Sequence, residues 1–557
     1  MNPLADVRPT PAPTVAERVA TWLDRLRVEL AFGVSGGGVA PLWGALSRSP
    51  GLRLLHTQHE SGAAFAATEA SLASRRPVVV FTTTGPGLTN ALTGIVAART
   101  EGAHVLLLSG ATPTERRLRG ATQETGPSGE VDVASAFDLS ITVETEAMLA
   151  TALRRIEAGM QQEGGFVAHL AVPMDVQGLP TTKQLPPAVS APGPQASEQD
   201  LIRVAADLRD KRCVLVAGFH ARHHGEEVRQ LAERLGAPVV TTPRALGVVP
   251  ADHPSCLGVV GFAGHDDTLA RLAELRPEVV LAVGTALSEG ASQWHDALVP
   301  SEQLVLVHPR PDAVAGLSPD VPTTWLRGSV ASTLQRLVAA LPHAAPPPTP
   351  RPHPTPVGAP RGLPVSPVDL LDSVQRVVID GSDTLVLAEA GNSFAWAIHQ
   401  LQLPTPRLRV SVRWGSMGHA TAGVLGAALG SRGRALALVG DGAMLMLHEL
   451  ATAASHDVDA TWVVLNDGGM GMCRQGVDML GISGIDADLA PVRFAAMAAA
   501  LGVPSRVVEG AEQLDDVLRW AVRGTGPKLV EVPIDRGVTA PIGARVAALT
   551  WAGEASP

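Results

Sequence analysis

The sequence predicts an α/β protein of three domains, each a parallel sheet flanked by helices. Short continuous apolar runs alternate with longer helix-like stretches along the chain, and glycine-rich turns follow the runs. Two proline-rich breaks then cut the 557 residues into segments of domain size. A strand buried on both faces of a parallel sheet shows no polar side, so it reads as an unbroken apolar run.

The first segment, 1–178, carries such runs at Pro77–Phe81 (PVVVF) and His104–Leu108 (HVLLL). Residues 179–199, rich in Pro, Ser and Ala, are expected to be a linker. The second segment, 200–342, repeats the pattern. Strands are expected at Val214–Ala217, Val239–Thr241 and Val279–Val283, and a helix at Glu226–Leu235. Between Pro342 and Pro364 ten of twenty-three residues are proline, which favours extended polyproline geometry and marks 343–364 as a second linker. The last segment, 365–557, has strands expected at Leu385–Ala388, Ala435–Val439 and Trp462–Leu465.

Composition narrows the function. Hydrophobic residues at 45% and charged residues at 18% fit a globular enzyme and exclude a disordered or fibrous chain. With 44 basic against 54 acidic residues and no Lys/Arg block, no nucleic-acid partner is expected. No apolar run approaches the ~18–20 residues that span a bilayer. Met1–Thr14 lacks a basic segment followed by an apolar core, so neither membrane nor secretory signal is expected. Cys213, Cys256 and Cys473 show no zinc-type spacing, which points to a reducing, cytoplasmic compartment. There is no tyrosine, so no tyrosyl acid, radical or nucleophile exists.

The chemistry concentrates first in Arg434–Gly471. One apolar strand ends at Gly440-Asp441-Gly442, a helix-like stretch follows, and a second strand ends at Asn466-Asp467-Gly468. Consecutive parallel strands present their carboxyl ends on one edge, so Asp441 and Asn466 can meet. A carboxylate, an amide oxygen and a loop carbonyl suit Mg²⁺, which keeps few protein ligands and fills its octahedron with water and phosphate. The flanking glycines let a diphosphate approach the backbone. Taken alone, a strand-end turn and an Asn turn account for the same residues.

The stretch resembles the thiamine-diphosphate-dependent enzymes of the acetolactate synthase and pyruvate decarboxylase type, whose signature is GDG followed by Asn-Asn. Here 23 residues separate Gly442 from Asn466, and Asp467 replaces the second Asn. The resemblance implies thiamine diphosphate and Mg²⁺ as cofactors. Asp441, Asn466 and the Gly468 carbonyl are then the metal ligands, with Gly440, Gly442, Ala443, Gly469 and Met470 along the cofactor. Glu389–Ser393 resembles the diphosphate turn, placing Gly391, Asn392 and Ser393 there. In WGSMGHA (Trp414–Ala420), Ser416 and Met417 are cofactor-binding, Met417 as the apolar wedge. His419 and His448 either face the site or pack in the core.

Further motifs lie in the first segment. LHTQHESGAAFA (Leu55–Ala66) resembles the family's HE-x-GA motif and implies that Glu60 is the carboxyl which hydrogen-bonds the aminopyrimidine and activates the cofactor. A helix-start carboxylate is the plain alternative. TTTGPGLTN matches the Gly-Pro-Gly turn, with Thr83, Thr84, Gly85 and Asn90 shaping the pyrimidine pocket. FGVSGGGVAP matches the first glycine turn, with Gly36 and Gly37. ATQETGP matches the Phe-Gln-Glu loop of acetolactate synthases, with Thr122 for Phe and Gln123 as substrate-side donor or as a solvated loop residue.

The resemblance implies pyrimidine-binding, central and diphosphate-binding domains. Active sites would lie at a subunit interface of a homodimer or homotetramer, Glu60 of one chain serving Asp441 and Asn466 of another. The reaction implied is decarboxylation of a small-molecule 2-oxoacid with carboligation to a second carbonyl acceptor, acetolactate synthase-like or acyloin-forming. The double-histidine motif of pyruvate decarboxylases is missing after the GPG turn. A non-ligating 2-oxoacid decarboxylase is the alternative. A catalytically silent cofactor-binding subunit comes third, against which Glu60 speaks. The strand end Gly284–Glu289 lacks the arginine with which acetolactate synthases hold FAD, which speaks against FAD. The loop Gly468–Met479 departs from their pattern and leaves the acceptor open. GVSGGG at Gly33 lacks the spacing of a nicotinamide site.

Overall fold

The computed structural model describes residues 12–125, 133–182, 184–188, 195–310, 320–342 and 363–543, with 193, 316 and 546. Residues 343–362 of the expected proline-rich linker lie outside these, as do 183, 189–192 and 194 of the first break. So do the first eleven residues and Gly126-Pro127 of the ATQETGP motif. The chain divides into two compact units, Met1–Ala191 and Pro192–Pro557. Among the described residues the strands form three six-stranded sheets, one in the first unit and two in the second.

The first sheet contains β1 (Leu30–Gly33), β2 (Arg53–His56), β3 (Val78–Thr82), β4 (His104–Ala111), β5 (Leu139–Thr142) and β6 (Phe166–Pro173), in the order β2-β1-β3-β4-β6-β5. Every pairing is parallel, with Phe32 opposite Leu55 on one side and Val80 on the other. The order reverses between β1 and β3, so their carboxyl ends form a crevice where ligands bind in open parallel sheets. Two helices start near it: α1 (Glu60–Ser74) follows β2, the outer neighbour of β1, and α2 (Pro86–Glu101) follows β3. Nearly every side of α1 is buried, which its run of small residues allows. A Cβ at Gly94 of α2 would stand 2.5 Å from the Ala64 Cβ, so glycine sets how closely the helices approach.

The second sheet contains β7 (Cys213–Ala217), β8 (Val239–Thr241), β9 (Cys256–Val259), β10 (Val279–Val283), β11 (Gln303–His308) and β12 (Thr323–Arg327), ordered β12-β11-β10-β7-β8-β9. The third contains β13 (Leu385–Ala388), β14 (Leu408–Val410), β15 (Ala435–Gly440), β16 (Ala460–Asn466), β17 (Ser505–Val507) and β18 (Lys528–Pro533). Its order, β14-β13-β15-β16-β18-β17, repeats that of the first sheet strand for strand. Its crevice therefore lies between β13 and β15, with Ala388 opposite Leu438 at the end of the pairing. Helix α3 (Asn392–Gln400) starts after β13, α4 (His419–Ser431) packs on β15, and α5 (Asp441–Met446) starts where β15 ends.

The strands expected from apolar runs are present within one or two residues in most cases. Those the runs did not reveal include edge strands such as β2, β12 and β17, where exposed residues such as Arg53, Arg327 and Arg506 interrupt the apolar pattern. An edge strand faces solvent along one side and is commonly short and charged.

Candidate active site

In the first unit the crevice between β1 and β3 gathers the residues that the motifs single out. Glu60 is the first residue of α1 and is 8% exposed. His59 caps that helix, its ring nitrogen accepting from the Ser61 amide at 3.1 Å. From α2, the Asn90 amide donates to Glu60 Oε2 at 3.1 Å, and the Ser61 hydroxyl donates to the Asn90 carbonyl at 2.5 Å. The other carboxyl oxygen, Oε1, lies 3.2 Å from where a Gly87 Cβ would stand, so the second glycine of the GPG turn makes room for it.

The glycine turn after β1 packs on the threonines after β3. A Cβ at Gly36 would stand 2.7 Å from Thr83 Oγ1, while Gly37 has open space around it. Gly85 has φ +60°, and its face is covered by Gln123, whose Cβ would be 2.6 Å from a Gly85 Cβ. The Thr84 hydroxyl donates to Gln123 Oε1 at 3.0 Å. Glu60, Gly36, Thr83, Thr84, Gly85, Asn90 and Gln123 are thus brought together by contact.

In the second unit, Asp441 is the first residue of α5 and is 4% exposed. Its Oδ1 accepts from the Gly442 amide at 2.8 Å and its Oδ2 from the Gly469 amide at 3.0 Å. Burial, then the charge of Asp467, pushes its carboxyl up to about 6. Asn466, at the end of β16, turns its amide nitrogen to Glu531 Oε1 at 2.9 Å, which leaves its oxygen to accept from the Gly468 amide at 3.3 Å. Asp441 and Asn466 therefore present oxygens to neighbouring amides of one turn. The Gly468 carbonyl accepts from the Leu489 amide at 2.9 Å, which leaves one lone pair for a metal.

Asp441, Gly442 and Gly469 border a cavity of about 580 Å³. Gly391, Asn392, Ser393, Met417, Gly440, Asp441, Gly442, Ala443, Gly469 and Met470 line it, whereas Ser416, Asn466 and Gly468 are not among its lining residues. The Ser416 hydroxyl turns to the Met417 carbonyl at 3.3 Å. Ser393 faces Gly440, its hydroxyl 3.9 Å from where a Cβ would stand. The thioether of Met470 and the methyl of Met417 both crowd the face of Gly442. The Asn392 amide oxygen is buried with no hydrogen-bond partner among the described residues, an acceptor suited to a cation or donor in the cavity.

The motifs left several contributors unnoticed. Asp467, half-buried and raised by desolvation, faces Arg474 at 3.6 Å across the cavity rim. Glu389 is fully buried, with its carboxyl pushed up by desolvation; it accepts from the Thr421 amide and hydroxyl at 2.9 and 2.7 Å and from the Ala390 amide at 2.9 Å. It thereby fastens α4 to the turn after β13. His419 is buried beside it and belongs to that packing. Glu531 orients Asn466, and a lone acid in the apolar run LVEVP was a legible sign of it. After β7 and β8 of the second sheet, Arg222 and Arg244 stack on Phe219 at 3.7 and 3.5 Å and bear, with Arg310, on the half-buried His220. The missing arginine at Gly284–Glu289 does not leave that edge without positive charge.

No helix among the described residues is long and apolar enough to cross a membrane. Comparison with known proteins agrees with the geometry. Three family models match in order: thiamine pyrophosphate enzyme, N-terminal TPP binding domain, over residues 13–130; the central domain over 204–337; and the C-terminal TPP binding domain over 389–532. The chain is 27% identical to the acetolactate synthase isozyme 1 large subunit of Escherichia coli over 94% of both chains. It is also 27% identical to an acetolactate synthase of Mycobacterium avium, over 96% of this chain and 90% of that one. A probable 2-ketoarginine decarboxylase of Pseudomonas aeruginosa is 27% identical over 94% of this chain and 95% of its own.

Proposed function

We propose, from the premise that the chain belongs to the thiamine pyrophosphate enzymes, that it decarboxylates a 2-oxoacid and joins the remaining fragment to a second carbonyl. The observation that carries this is the buried Glu60 carboxyl held by Asn90 at the crevice of the first sheet, in a chain whose third sheet has Asp441 at the equivalent edge.

When bound, thiamine diphosphate supplies the electron sink for the bond to carbon dioxide. The protein's residues do the rest. Glu60 exchanges a proton with a nitrogen of the aminopyrimidine, and Asn90 fixes which oxygen does so. Gly36, Gly37, Thr83, Thr84 and Gly85 shape the pocket for that ring. Asp441, Asn466 and the Gly468 carbonyl would hold Mg²⁺, and Asn392, Ser393, Gly440, Gly442, Ala443, Gly469 and Met470 would bind the diphosphate part of the cofactor. Met417, which lines the cavity, would pack against the cofactor and exclude water. Gln123 donates to the substrate.

In this reading the pyrimidine-binding, central and diphosphate-binding domains are 1–178, 200–342 and 365–557. Glu60 of one chain serves Asp441 and Asn466 of another in a homodimer or homotetramer. Three free thiols fit a cytoplasmic setting. The acetolactate synthases among the relatives support carboligation. The 2-ketoarginine decarboxylase supports a second reading, decarboxylation without ligation. Feeding labelled pyruvate and longer 2-oxoacids, with and without a second carbonyl, separates the two. An acyloin or acetohydroxy acid supports ligation; aldehyde alone supports the second reading.

A further inference from the structure

Part of the wall of the 580 Å³ cavity comes from the chain after the last strand, where Ile534, Asp535, Arg536, Val538 and Thr539 line it. Backbone hydrogen bonds pin its start, the Ile534 amide to the Asn466 carbonyl at 3.0 Å and the Asp535 amide to the Val365 carbonyl at 2.8 Å, but from Arg536 on it runs through turns and bends without such pairing to another strand. A side chain does. Gln475 lies on α6 (Gly471–Met479); its Nε2 donates to the Ala540 carbonyl at 2.6 Å and its Oε1 accepts from the Ala540 amide at 2.9 Å. A primary amide paired in this way with one peptide unit engages donor and acceptor together and fixes rotation as well as distance.

The same helix is tied to the cofactor turn. Arg474 pairs with Asp467 at 3.6 Å and with Asp488 at 3.1 Å, and Arg536 reaches the same Asp488 oxygen at 3.0 Å. The strip 487–489 in turn holds the turn after β16, its Ala487 carbonyl accepting from the Met470 amide at 2.7 Å and its Leu489 amide donating to the Gly468 carbonyl at 2.9 Å. One short helix thus fastens both the Asp467–Met470 turn and the post-β18 segment.

We propose that Gln475 is a positioning residue: it seats the 536–543 segment as a wall of the site and couples it, through α6, to the turn that meets Asp441. This rests on the reading of the cavity as the thiamine diphosphate site. The test uses the full chain with Gln475→Met, which keeps the length without the hydrogen bonds, and Gln475→Glu, which keeps only the acceptor for the Ala540 amide. Hydrogen exchange over 535–543 is measured without cofactor. Binding of thiamine diphosphate with Mg²⁺ is measured by calorimetry, and kcat and KM are measured for the 2-oxoacid.

In Gln475→Met, protection over 535–543 should fall and cofactor affinity should weaken or KM rise about tenfold, with kcat changing by less than about threefold; Gln475→Glu should lie between. Wild-type protection and affinity in Gln475→Met would overturn the proposal. So would a lower Tm with unchanged affinity and KM, the mark of a merely structural contact. If Gln475→Met does not fold, Gln475→Glu carries the same comparison. Failure of the wild type to bind thiamine diphosphate would overturn the functional reading, and this role with it. A wild type that binds beside a variant that binds equally well overturns only the role of Gln475.

Discussion

The side-chain amide of Asn90 donates to the Glu60 carboxylate at 3.1 Å across thirty positions of sequence, joining the N-terminal parts of two helices that follow β2 and β3, the strands on either side of β1. One oxygen of Glu60 is thereby held, and the other lies above Gly87, where a side chain would intrude.

Replacing Glu60 with Gln keeps the shape and removes the titrating oxygen. Turnover should fall by about 10²–10⁴, the range for loss of a positioned acid–base group, while cofactor affinity stays near wild type. Asn90→Ala should cost about tenfold in turnover, because it frees the carboxyl without removing it. Steady-state rates beside calorimetric cofactor titration check both, and unchanged turnover in Glu60→Gln would overturn the role assigned to Glu60.

Asp441→Asn should abolish Mg²⁺-dependent binding of thiamine diphosphate. A carboxyl raised to about 6 in the folded chain favours the protonated form, so the empty site becomes less stable as pH rises through that value. A bound cation needs the ionised form and offsets that loss. Mg²⁺ with cofactor should therefore raise Tm more at pH 7.5 than at pH 5. Asp467→Asn removes a charge that raises Asp441 and should shift this acid limit downward. Thermal melts across pH with and without Mg²⁺ decide it.

His169 is buried in β6 between the hydroxyls of Ser109 and Ser140, at 2.9 and 3.0 Å, and burial lowers its pKa to about 4. The unfolded chain takes up that proton near pH 6.5, so the stability from neutral His169 is complete above 6.5 and is lost as pH falls toward 4. The difference is on the order of 3 kcal/mol. His169→Gln should lower Tm at neutral pH yet flatten its fall between pH 6.5 and 4.5, as seen by denaturation at stepped pH.

Gly94→Ala places a methyl 2.5 Å from the Ala64 Cβ and 3.1 Å from the Ser61 carbonyl. Both contacts are with α1, so the helices must part. Overpacking of this kind costs about 1–3 kcal/mol. Because Ser61 adjoins Glu60, turnover should fall along with stability, whereas Gly476→Ala, inside α6 with open space around it, should hold or slightly raise Tm.

Much of the site was legible because its residue types are forced by local geometry. Gly85 must reach φ +60°, and Gly87 and Gly36 must admit neighbours where a Cβ would collide, so glycine-rich motifs stand out in the sequence. Glu389 and Glu531 were harder to read. A buried acid announces itself only by what surrounds it, and apart from the Ala390 amide the hydrogen bonds that hold these two come from Thr421, Asn466 and Ala495, tens of residues away in the chain.

The sequence by itself determined the strand runs, the turns that end them and the residue types those turns demand, because burial on both faces and close backbone approach act over a few residues at a time. Only the tertiary structure decided which strand ends face one another. The repeated order of the first and third sheets puts Gly36 beside Thr83 and Ser393 beside Gly440. It also set the direction of side chains such as Ser416 and Asn466. That direction follows from competition among hydrogen-bond partners contributed by separate elements, which no local pattern contains.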